Sequence, residues 1–155
     1  MFAALVAMVL TGCQEATETP QATNSPPLPQ TATDEGHSHG SGPNGGAVAD
    51  WGGGKYHVEF MVNHDTQEAT VYVLDSDAKA PAPVKADKLL LSITEPAFQV
   101  DLMALPQEGE SDGVSSRFVG KHEKLGVVQE FDGTISGEAD GTPYAGDFKE
   151  VAPGS

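Results

Sequence analysis

Tyr56, Val58, Phe60 and Val62 alternate with Lys55, His57, Glu59, Met61 and Asn63. That is the period of two expected of a strand with one face on a core and the other in water. Ala47 to Trp51 can return across Gly52, Gly53 and Gly54 as its hairpin partner, because glycine tolerates the positive φ such turns require. Ala69 to Asp75 looks apolar on both faces and is expected to be a central strand. Pro81 and Pro83 then interrupt any ladder. Lys88 to Thr94 and Ala97 to Leu105 predict two further strands joined by Glu95 and Pro96, and Pro106 to Gly113 is a polar, acidic loop. Val114 to Val119, Val127 to Phe131 and Thr134 to Gly137 read as strands, and Asp140 with Gly141 forms a two-residue hairpin signal before Pro143 to Val151. Nothing sustains a helical period. The pattern predicts an all-β domain over residues 46–151, an antiparallel β-sandwich of about eight strands, with no internal repeat.

The N-terminal third follows a different grammar. From Gln14 to Pro43 there is no aromatic residue, one leucine and no Lys or Arg, so no apolar face exists to offset ordering entropy. Residues 14–45 are therefore expected to be a disordered tether containing Pro, Thr and His, able to extend by about 3.1 Å per residue. Before it, an apolar run from Phe2 to Leu10 leads into Leu10, Thr11, Gly12 and Cys13. The run is far shorter than the roughly 20 residues of a spanning helix, and it fits a signal h-region ending in a bacterial lipobox. Residues 1–13 are read as a lipoprotein signal peptide, with Cys13 lipidated and anchoring the chain to a membrane. No Lys or Arg precedes the run, which points to a start codon further upstream. Cys13 is the only cysteine, so no internal disulfide framework is expected of this exported chain. Gln14 rather than Asp follows Cys13, which favours outer-membrane retention over the inner membrane in an envelope with a periplasm.

Charge narrows the partners. The 155 residues carry 23 acids against 8 bases, a net charge of −15. Nucleic acid would be repelled, since binding it requires Lys and Arg in place of counterions. Cations suit this field, although acidity also serves simply to keep an exported domain soluble.

Candidate chemistry rests on five histidines and the carboxylates. His37 and His39 flank Ser38 in a glycine-bounded segment, a spacing that can chelate a borderline ion such as Zn or Cu. His57 and Glu59 are expected on the wet face of their strand, about 6.6–6.8 Å apart. The hairpin as read pairs Ala49 with His57 and Ala47 with Glu59, leaving space above them. His39 lies within about 23 Å of extended chain from Gly46, so His37, His39, His57 and Glu59 form a candidate divalent-metal site. The competing reading is a solvated strand face beside a disordered histidine pair. His64 with Asp65 resembles a turn capped by an Asx bond, and His122 with Glu123 a solvated loop. Asp75 and Asp77 open like a calcium loop, but Ala80 and Ala86 stand where that motif needs Gly and Glu.

His39, Gly40, Pro43, Asn44, Gly45 and Gly46, followed by Gly53 to Glu59, resemble a pattern in small secreted or lipid-anchored β-domain proteins of planctomycete-type bacteria. A similar His-Gly-Pro-His/Asn-Gly-Gly opening stands at the front of some periplasmic adaptor proteins of heavy-metal efflux. The resemblance spans about residues 36–75, with Ser41 and Gly42 separating His39 and Gly40 from Pro43. It implies a β-rich periplasmic module with metal contact, a detached accessory domain at most, since the helical hairpin of an adaptor does not fit this length.

Catalysis finds little support. Ser136 stands one position late for a Gly-x-Ser-x-Gly elbow, the lone Cys13 is occupied by lipid, and Glu108 with Glu110 lies on a loop where solvation is expected. No enzyme is expected, and no cofactor other than a candidate Zn or Cu ion. Two readings stay open: a lipid-anchored envelope protein whose β-domain meets a protein partner, and a Zn- or Cu-binding accessory of metal efflux or homeostasis.

Overall fold

The computed structural model of the chain describes residues 40–150. The lipobox with Cys13, most of the expected tether, and His37 and His39 lie outside the described residues. Eight strands follow one another: β1 (Ala47–Trp51), β2 (Tyr56–Asn63), β3 (Glu68–Leu74), β4 (Lys88–Ile93), β5 (Phe98–Ala104), β6 (Arg117–Lys121), β7 (Phe131–Ala139) and β8 (Thr142–Glu150). Among the described residues the one helical element is a 3₁₀ turn at Glu123–Gly126. All strand pairs are antiparallel, in the order β1-β2-β3-β6-β5-β4-β7-β8.

The expected all-β fold is present, as one sheet curled nearly into a barrel rather than two stacked sheets. Its ends meet where β1 lies against β8. At Gly146 an added Cβ would fall 2.2 Å from the Asp50 carbonyl oxygen, so only glycine admits this approach. Trp51 stacks on Tyr144 with ring centroids 5.6 Å apart, and its indole Nε1 donates to the Ile135 carbonyl at 3.1 Å. A fully buried indole N–H needs such an acceptor, so this bond fixes the orientation of the seam.

The inward residues fill the barrel as its diameter at eight strands requires. Val58, Phe60, Val71, Val73, Leu89, Leu91, Leu102, Phe118, Phe131 and Ile135 are all buried there. Each large side chain contributes about 1.5–3 kcal/mol by leaving water. Phe60 packs face-on against Phe148 at 4.4 Å and edge-on against Phe131 at 6.5 Å.

Three local expectations change. The first hairpin is slipped by one residue: Asp50 opposes His57 and Val48 opposes Glu59, because Trp51 pairs with Tyr56 and Lys55 joins the glycines in the turn. Gly52, Gly53 and Gly54 hold positive φ values of 63°, 65° and 86°. The segment from Thr134 is not a separate strand, since β7 runs unbroken from Phe131. Gly133 marks no turn within it; an added Cβ there would meet the Ser92 carbonyl oxygen at 2.4 Å. Val127 and Val128 form an exposed loop instead of a strand.

Candidate functional site

The outward face of β2 carries His57 and Glu59, yet both are buried, at 6% and 0% exposure. This corrects the expected wet face. Residues 42–45, read in sequence as the end of the tether, fold back with Gly46 over Glu59 in a turn closed by Gly45 N to Gly42 O and Gly42 N to Gly46 O, each 2.9 Å. Within it Asn44 N and Gly46 N both donate to Glu59 Oε1, and Asn44 Nδ2 donates to Oε2, all at 2.8 Å. Three donors on one carboxylate satisfy its buried charge. Gly42 sits so close that an added Cβ would lie 2.5 Å from Glu59 Cδ.

His57 is held on its other side. Its Nδ1 lies 3.0 Å from the Asp75 carbonyl oxygen and its Nε2 2.7 Å from Asp50 Oδ1. Both neighbours present oxygens, so both ring nitrogens are engaged. The one-residue slip of the hairpin is what brings Asp50 here in place of the small residue expected opposite His57. Both side chains are thus engaged by neighbours in this arrangement. Of the four candidate metal ligands, these two are adjacent on one strand face, and the other two precede Gly40. Among the described residues no group of three or more His, Cys, Asp or Glu gathers as a metal ion would require.

Around this face the same device recurs. Asp75 Oδ1 accepts from Lys79 N at 3.0 Å and Ala80 N at 3.3 Å, and these backbone donors, the first foremost, hold its carboxyl below the usual carboxylate range. Glu110 is half-buried rather than solvated: it accepts from Gln107 N, Ser116 N and the Ser116 hydroxyl, closing the loop that sequence reads as open. Asp140 accepts from Lys85 N at 3.0 Å and from the Tyr56 hydroxyl at 3.2 Å.

His64 and His122 also differ from their expected solvated state. His64 stacks on Phe131 with centroids 6.2 Å apart, and its Nδ1 donates to the Leu125 carbonyl at 2.7 Å. His122 caps the 3₁₀ turn by accepting from Lys124 N, and it stacks on Phe98 at 4.5 Å. The Asx bond of the β2–β3 turn is made by Asn63, whose Oδ1 accepts from Thr66 N, rather than by Asp65.

Clefts open on the outer surface of the described residues. One of about 420 Å³ is lined by Gly40 to Pro43, Val48 and Asp77 to Lys79, at the point where the described chain begins. A wider one of about 870 Å³ runs beside β4 and β7, between Lys85, Lys88 and Glu138. Beside the seam, Lys55 Nζ donates to the Tyr144 hydroxyl at 2.9 Å, and this bond raises the ammonium above its ordinary value.

Sequence reading missed Asn44, Asp50 and Asp75 as partners of Glu59 and His57. Only the pairing Asn-Gly-Gly ahead of a strand hinted at a turn there. Among the described residues no helix is long and apolar enough to cross a membrane. Comparison of the chain with protein-family models, curated proteins and solved structures finds no match.

Proposed function

We propose that the chain is a lipid-anchored protein of the bacterial cell envelope, held through Cys13 and facing the periplasm or exterior, whose barrel is a non-catalytic interaction domain. The observation that carries this reading is a pair of outward side chains at the end of β5. Met103 and Leu105 are 55% and 48% exposed and fall on one side of the chain by the period of two. Val119 of β6 lies directly across from Met103. Exposed apolar neighbours of this kind suit a protein partner. The non-catalytic part is supported by the fate of the groups best suited to chemistry: His57, Glu59 and Glu110 are engaged with backbone and neighbouring side chains.

The test has two arms. Cys13→Ser should move the protein from the membrane fraction to the soluble one and remove the acyl mass. Met103→Asp with Leu105→Asp should leave thermal unfolding unchanged and abolish a crosslinked species seen with the native chain. Membrane retention of the Cys13 variant, or unchanged crosslinking of the double variant, would refute the respective arm.

A second reading, a Zn- or Cu-binding accessory protein, is favoured by one placement. Gly40, directly after His39, lines the cleft that also contains Asp77, and the resemblance to the openings of metal-efflux adaptors points the same way. His57 and Glu59 join such a site only by giving up Asp50, Asp75, Asn44 and Gly46. Calorimetric titration with Zn and with Cu(II) decides it. Micromolar binding lost in His37→Ala/His39→Ala and retained in His57→Ala supports the histidine pair; absent heats end the reading.

A further inference from the structure

The 3₁₀ turn packs against β2 and β3, beside His64, whose ring stacks on Phe131 at the start of β7. Leu125 of that turn is fully buried, and its carbonyl is held by His64 Nδ1. Phe131 in turn has an unusual cross-strand partner. Glu150 pairs directly with Phe131 across the β7–β8 ladder, so its side chain leaves the sheet on the same face as that buried ring. Phe148, two residues earlier, lies in the core. Glu150 thus carries a carboxyl to the inner face of an apolar barrel. Its Oε2 is buried without a hydrogen-bond partner among the described residues, and so is Nε2 of Gln129, two residues before Phe131. Buried polar atoms left unpaired are uncommon and costly, and each calls for a physical account.

The surrounding charges give Glu150 little relief. From β2 and its turn, His64 acts on it, while Asp65 is exposed. From the start of β7, Glu130 and Asp132 are exposed, and Asp132 pairs with Lys149 of β8 at 3.5 Å. From the 3₁₀ turn, His122 stacks on Phe98, Lys124 Nζ donates to the Ala97 carbonyl, and Glu123 is exposed. No donor on these elements reaches Oε2.

We propose that Glu150 is a pH-operated catch acting through Phe131 and His64 on the Leu125 turn: neutral, it stays inward and the turn stays closed, and ionised, it draws in water and loosens that turn. Burial, set against a smaller opposing effect of His64, pushes the carboxyl up to about 7. With the turn open the same group is solvated and ionises in the ordinary carboxylate range. The sign follows. Between those two values the closed form binds more protons than the open one, so opening is favoured as pH rises through that window and levels off above it.

Hydrogen exchange on the full chain tests this through the amides of Leu125 and His122, which bond to His122 O and Gln67 O at 3.0 Å each. Corrected for intrinsic exchange, their protection should fall by up to about tenfold per pH unit between about pH 5 and pH 7, then stay flat. Glu150→Gln and Glu150→Met should both abolish the slope while keeping these amides protected. A flat native profile, or the same slope in both variants, would overturn the proposal. Should one variant fail to fold, the other still decides it.

Discussion

Asn44 and Glu59 grip each other twice, backbone N to Oε1 and side-chain Nδ2 to Oε2, both at 2.8 Å. The pair joins a loop to the middle of β2 across fifteen positions of sequence. Gly46 N completes the set on Oε1. A fully buried carboxylate is here a fastening for backbone donors.

Glu59→Ala should therefore cost about 2–4 kcal/mol, because three donors lose their acceptor at once. Thermal unfolding would shift downward by about 10 °C or more for a domain of this size. Glu59→Gln should cost less, about 1 kcal/mol, since Oε1 keeps both backbone donors and the Asn44 amide can turn its oxygen toward the new Nε2. Equal melting of native and alanine forms would mean that the fastening contributes nothing.

At the seam, Gly146→Val should separate β1 from β8, given the 2.2 Å that an added Cβ would leave to the Asp50 carbonyl. Trp51, the sole tryptophan, stacks on Tyr144 beside that point. Its emission should shift to longer wavelength in the variant at a temperature where the native protein is unchanged. An unaltered spectrum would show that the sheet tolerates an open edge.

Asp75 sets an acid limit. Its carboxyl is held below the ordinary range by Lys79 N, then Ala80 N, so between the folded and unfolded values the unfolded chain binds the extra proton. Its contribution is complete above the ordinary carboxylate range and is lost as pH falls through the depressed folded value. Urea midpoints measured downward from about pH 6 should decline less steeply in Asp75→Asn than in the native chain. Parallel declines would remove Asp75 from the account.

His57→Ala should leave Asp50 and the Asp75 carbonyl without the ring they share. A cost of about 2 kcal/mol is expected in the urea midpoint, reflecting a largely buried pair. If Asp50→Asn is then introduced, the second change should cost less than it does alone, since the partner is already gone. Additive losses would show that the two side chains are not coupled.

The alternation of Tyr56 to Asn63 and of Phe98 to Met103 made β2 and β5 legible, because a half-buried strand writes its period directly into hydrophobicity. Register was harder. Lys55 belongs to the turn for reasons of backbone geometry that composition does not record, and one residue of slip exchanged Ala49 for Asp50 opposite His57. The curled single sheet was likewise hidden, since closure depends on Gly146 meeting Asp50, a contact between the first strand and the last. Glu59 was read as wet because its cover comes from residues with no apolar side chain to announce packing. Hydrogen bonding from Asn44 and Gly46 does there what hydrophobic burial does elsewhere. The same is true of Glu110, whose loop looked merely acidic.

The turn at residues 42–46 also decides how the domain would bear a pull. Any tension arriving along the N-terminal chain enters at Gly40 and reaches the Glu59 carboxylate before it reaches β1. The three short bonds at Glu59 would share that force, and the β1–β2 ladder behind them would be loaded only after the turn had been peeled away. A buried glutamate thus stands as a mechanical stop ahead of the first strand.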